Sequence, residues 1–160
     1  MNTGNARAAG IGMIAGMRSM SAPALATHLL SNRKRDQASS PVVRFMSQAK
    51  IARFFAVAAA GELVGDKLPF IPSRTDPGPL CGRAMFGAIS AYAVDDGTSP
   101  FVSGTLGLAA AVISAFTFYH LRKKAGEETK LADPLWGVIE DLLVLLVACG
   151  IAQSYKNAPE

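Results

Sequence analysis

The sequence predicts an all-α fold: a polytopic helical membrane bundle of four to five helices, with residues 1–160 forming a single integral membrane domain. Three observations predict it. Half of the residues are apolar and only 18% are charged, against about a quarter in soluble domains. Lys and Arg gather between apolar runs of about twenty residues, the length a hydrocarbon core of roughly 30 Å asks of a helix. The third is the block Gly61-Glu62-Leu63-Val64-Gly65-Asp66-Lys67-Leu68-Pro69-Phe70-Ile71-Pro72-Ser73-Arg74-Thr75, where a small-residue apolar run exits through dense charge. Such a block is either a membrane-boundary anchor or a working site.

The first apolar stretch, residues 4–30, is expected to be broken in its middle. Gly12 and Gly16 stand on one helical face, a spacing that lets two helices approach closely. Then follows Gly16-Met17-Arg18-Ser19-Met20-Ser21-Ala22-Pro23, where Ser21 can cap a second half-helix with Pro23 in its first turn. A discontinuous helix would expose amides and a positive dipole end beside Arg18, and is tolerated at membrane depth only when buried in protein or lining a cavity. The competing reading is a simple proline kink with Arg18 reaching the interface. Arg18 in the middle of the run, and the lack of a clean Ala-x-Ala exit, argue against a signal peptide.

Arg33, Lys34 and Arg35 mark a cytoplasmic loop by the positive-inside rule. In residues 42–66, Arg44, Lys50 and Arg53 alternate with apolar residues, leaving a basic-free run that is short for a span. A re-entrant or interfacial helix is therefore a competitor here. Residues 79–94 form a short helix with Arg83 near its start and a small face of Gly82, Gly87 and Ala88. Asp95-Asp96-Gly97 is a turn, and Ser99-Pro100 opens the next helix. Residues 101–121 are the cleanest span, ending in Tyr119, His120 and the Arg122-Lys123-Lys124 anchor. A polar loop with Glu127 and Glu128 leads to Asp133-Pro134, which starts a last helix over 134–153 bearing Trp136, Glu140 and Asp141.

The two basic loops, 31–41 and 122–133, fall on one side only if one helix fails to cross, and 42–66 is the weaker span by charge. A faint repeat joins Thr27-His28-Leu29-Leu30 to Tyr119-His120-Leu121, each before a basic cluster and a helix with paired acids. Cys81 and Cys149 read as small buried hydrophobes, and His28 and His120 as interface anchors. The net charge of +4 concerns orientation and anionic lipid headgroups rather than nucleic acid.

Glu62 and Asp66 share a helix face, and two carboxylates in a membrane helix need water, a cation or a base. Arg18, Lys67, Arg74 and Arg83 are their candidate partners. Guanidinium groups suit carboxylate and phosphate, so the set Arg18, Glu62, Asp66, Lys67, Arg74, Arg83, Glu140 and Asp141 is the candidate ligand or ion site. Glu140 and Asp141 are adjacent, so at most one is expected to face it. The competing reading is a structural salt-bridge network. The sequence contains no nucleophile elbow, phosphate-cradling glycine loop or zinc spacing, so no enzyme, cofactor or metal is expected. The reading is a small transporter or channel-like permease; the alternative is a structural or accessory subunit of a larger membrane complex. Small-residue faces also admit a homo-oligomer.

The strings Gly16-Met17-Arg18-Ser19-Met20-Ser21-Ala22-Pro23, Glu62-Leu63-x-x-Asp66-Lys67-Leu68-Pro69, Pro72-Ser73-Arg74-Thr75, Gly82-Arg83-Ala84 and Glu140-Asp141 together resemble a bacterial family of small integral membrane proteins catalogued as a domain of unknown function. The resemblance covers nearly the whole chain. It implies a multi-pass protein of the bacterial inner (plasma) membrane and makes 42–66 a membrane helix, against the charge count.

Overall fold

The computed structural model describes residues 3–32, 40–65, 75–95, 99–128 and 133–157, and every regular element among them is helical. In order they are α1 (Thr3–Met17), α2 (Ser21–Ser31), α3 (Pro41–Met46), α4 (Ala49–Gly65), α5 (Pro77–Val94), α6 (Pro100–Glu128) and α7 (Asp133–Lys156). The chain is all-α. Among the described residues, two stretches are long and apolar enough to cross a membrane: Pro100–Gly126 with mean hydropathy 1.8 and Trp136–Lys156 with 1.7.

The bundle is built around α1. From Ala8 to Met17 its sequence is apolar on all sides, as a helix surrounded by others must be, and Ile11, Ile14, Ala15 and Met17 are fully buried. Helices α1, α5 and α6 pack on one another at a crossing made of small residues. A Cβ at Gly12 would collide with the Gly107 carbonyl, at Gly16 with that of Ala111, and at Gly87 again with that of Gly107. Glycine is required at this crossing because backbone meets backbone, not because of any turn. The Ser114 hydroxyl of α6 donates to the Met13 carbonyl at 2.9 Å and ties the same pair of helices.

These pairings set direction. Gly12 with Gly107 and Gly16 with Ala111 run α1 parallel to α6, whereas Gly87 with Gly107 and Tyr92 with Gly104 run α5 antiparallel. Helix α7 lies antiparallel on α1, with Tyr155 beside Arg7 near the start of α1 and Asp141 on Arg18 just past its end. Helix α4 packs chiefly on α2.

Four local expectations change. Ser21 is the first residue of α2 and not its cap; Met20 holds the cap position with helical φ and ψ and no side-chain bond. The described part of the stretch, 42–65, forms two helices, because Ser47 and Gln48 interrupt them: the Ser47 hydroxyl donates to the Val43 carbonyl at 2.7 Å, a backbone-directed bond that competes with helix continuation. Helix α6 runs on through Arg122-Lys123-Lys124 to Glu128, since those residues are good helix formers and no glycine or proline stops them before Gly126. Cys81 and Cys149 are exposed thiols on outward helix faces.

Candidate functional site

The break between α1 and α2 is where the charged side chains converge. A helix end leaves carbonyls unbonded, and a helix start leaves amides unbonded. Here each set is met by a side chain of opposite sign from another helix. Arg83 of α5 donates through one terminal nitrogen to the carbonyls of Gly16 and Met17, both at 3.0 Å. Glu62 of α4 accepts from the amides that lead into α2: Oε1 takes the Ser19 amide at 2.8 Å and the Ser19 hydroxyl at 2.7 Å, and Oε2 takes the Met20 amide at 2.9 Å.

The other terminal nitrogen of Arg83 lies 3.9 Å from Glu62 Oε1, an ion-pair separation rather than a hydrogen bond. Both side chains are nearly enclosed, at 9% and 12% exposure. A carboxylate and a guanidinium so removed from water are tolerable because each also satisfies backbone groups that burial would otherwise leave orphaned. The macrodipoles act in the same sense, negative charge at the start of α2 and positive charge at the end of α1.

Arg18, inside the break itself, points to α7. Its Nε donates to Asp141 Oδ1 at 2.8 Å, and a terminal nitrogen reaches the same oxygen at 2.6 Å. Arg18 is 5% exposed and Asp141 32%, so the pair opens toward the outside at its acidic end. Asp141 lies five residues past Trp136, where the apolar segment of α7 begins. At 1.5 Å per residue this places the cluster about 7 Å inside that segment.

Four of the eight candidate residues, Arg18, Glu62, Arg83 and Asp141, are thus gathered around one break. Glu140, next to Asp141, is buried and lines a cavity of about 30 Å³ with Phe118, Arg122 and Trp136. Asp66, Lys67 and Arg74 lie outside the described residues. His28 is exposed beside Asn32 Nδ2 at 3.2 Å, and His120 stands edge-on to Tyr119. What the list of ionisable residues omits is Ser19, which supplies two of the three donors to Glu62. The signal was present, since a broken helix at this string was expected to offer exposed amides.

The arrangement is that of an oxyanion cradle: two amides, one hydroxyl and a nearby guanidinium directed at one carboxylate. Its donors are directed at planar negative charge, and the Ser19 hydroxyl rests on the Glu62 carboxylate within it. No protein-family model, curated protein or solved structure matches the chain.

Proposed function

We propose that this chain is a multi-pass inner-membrane protein acting as a small permease for anionic solutes, with the α1–α2 break as its site. The observation that carries the reading is the Glu62 carboxylate bound at both oxygens inside the cradle of Ser19, Met20 and Arg83. An incoming carboxylate solute satisfies the same donors, so it can take the place of Glu62 without leaving the amides bare. Ionisable groups inside an apolar layer that face the bundle interior mark ion and substrate paths, and half-helix starts face anionic substrate groups in transporters.

On this reading α1, α5, α6 and α7 cross, and α2 and α4 enter the membrane as a re-entrant pair between α1 and α5, which keeps those two helices antiparallel. Helix α5, with 18 residues, reaches about 27 Å. The resemblance to small bacterial membrane proteins supports the same placement. So few helices enclose little volume, and a second copy of the chain would complete the path.

The test is uptake of radiolabelled acetate into proteoliposomes, with binding followed by the fluorescence of the single tryptophan, Trp136. Saturable uptake that Arg83→Gln abolishes supports the proposal. Uptake indistinguishable from empty vesicles, across formate, acetate and succinate, would sink it.

A second reading has its own observation. All four gathered charges already have partners inside the fold, which suits an accessory subunit whose network only holds the break in shape. Co-purification in a larger complex, with no flux from the isolated chain, favours that reading.

A further inference from the structure

A second region, away from the helix break, places an apolar trough beside exposed basic residues of α3 and α4. Between α3, α4 and α5 lies a cavity of about 450 Å³ lined by Pro23, Val42, Phe45, Phe55, Phe86 and Ile89. Its volume falls in the range of sites that hold small molecules. A neighbouring cavity of about 330 Å³ shares Val42 and Ile89 and continues along α5 and α6 past Tyr92 and Leu108. The two form one trough.

One wall, α3, is amphipathic over six residues. Val42 and Phe45 turn to the trough while Arg44 is exposed. Helix α4 then presents an outward stripe at helical spacing: Lys50 and Arg53 first, then Phe54 and Val57, the last two at 63% and 72% exposure. Basic residues precede apolar ones along this face, the order in which a helix leaves the headgroup layer for hydrocarbon. Residues 41–61 hold Arg44, Lys50 and Arg53 and no acid at all.

We infer that the trough holds one acyl chain of an anionic phospholipid whose phosphate is met by Arg44, Lys50 and Arg53. The apolar lining selects the chain, and the exposed basic residues of α3 and α4, in a stretch without an acid, select the headgroup charge. A zwitterionic lipid fits the trough equally but gains less from those residues. The inference depends on the chain residing in a membrane and is independent of whether it transports anything.

The experiment is native mass spectrometry of detergent-purified protein titrated with phosphatidylglycerol or phosphatidylcholine. Wild type is expected to retain phosphatidylglycerol at least about tenfold better. The combined change Arg44→Gln, Lys50→Gln and Arg53→Gln is expected to erase that preference while leaving some lipid bound. Ile89→Trp, which fills the shared waist, is expected to remove both lipids. Val42→Trp, at a half-exposed position, serves as a milder filler, and far-ultraviolet circular dichroism checks that each variant is folded. Equal retention of the two lipids by wild type overturns the inference, as does undiminished retention by both folded filling variants. A chain that extracts into buffer without detergent overturns the membrane placement as well, and so is told apart from failure of the lipid site alone.

Discussion

Glu62 caps a helix to which it does not belong: its Oε1 accepts both the amide and the hydroxyl of Ser19, 43 positions away in sequence. A serine or aspartate at the cap position would bond amides of the first turn locally; Glu62 instead takes the amides of the cap residue and of the residue before it. Met20 occupies that position instead and makes no side-chain bond. The work is done by a neighbouring helix, so the break and α4 depend on each other.

Truncating that cap has a measurable cost. Glu62→Ala should destabilise the fold by about 1–2 kcal/mol, the usual range for a lost N-cap. Glu62→Gln should lose less, because the amide oxygen can still accept from Ser19. The order of thermal inactivation midpoints in detergent checks this; a Gln variant as unstable as Ala would show that charge, not acceptance, is what matters.

Arg83 bridges two carbonyls and one carboxylate, which a forked planar donor does well and a point charge does poorly. Arg83→Lys is therefore expected to cost about 1–3 kcal/mol, as buried acceptors lose their partner. A Lys variant with unchanged stability and unchanged tryptic resistance at the break contradicts the bridging role.

The pair Arg18 and Asp141 joins the break to α7. A double-mutant cycle with Arg18→Gln and Asp141→Asn should return a coupling of about 1–3 kcal/mol, toward the lower end because Asp141 is 32% exposed. Strict additivity of the two changes would remove the pair from the account.

Backbone contact at the α1–α5–α6 crossing leaves no room for a side chain. Gly107→Leu should cost more than the roughly 1–3 kcal/mol typical of overpacking, because a Cβ there meets the Gly87 carbonyl, which no rotamer change can move. Gly82→Leu, with open space around it, should be neutral within about 0.5 kcal/mol.

Helix directions give a topology prediction. With α1 parallel to α6 and antiparallel to α7, single cysteines at Ser99 and Lys156, in a background lacking Cys81 and Cys149, should react with an impermeant maleimide from the same side. A cysteine at Gly126 should react from the other. Labelling of Ser99 and Lys156 from opposite sides would mean that α6 and α7 do not both cross.

Composition and periodicity by themselves determined the helical class, the place of the first break and the start of α6 at Pro100, because those depend on residues near in sequence. Gly12 and Gly16 could be read as a close-packing face, since spacing alone puts them on one side. The fate of the charges could be read only in part: Arg83 is an expected partner of the acids and lies 3.9 Å from Glu62. Glu62 with Asp66 looks like a carboxylate pair on one face, yet Glu62 is spent on amides 42 and 43 positions away and on Arg83. Gly82 and Gly87 are alike in sequence, but only Gly87 meets a backbone. Which side chain answers which helix end was decided by the tertiary structure, because orphaned amides and carbonyls accept any donor or acceptor of suitable geometry, and only packing determines which one arrives.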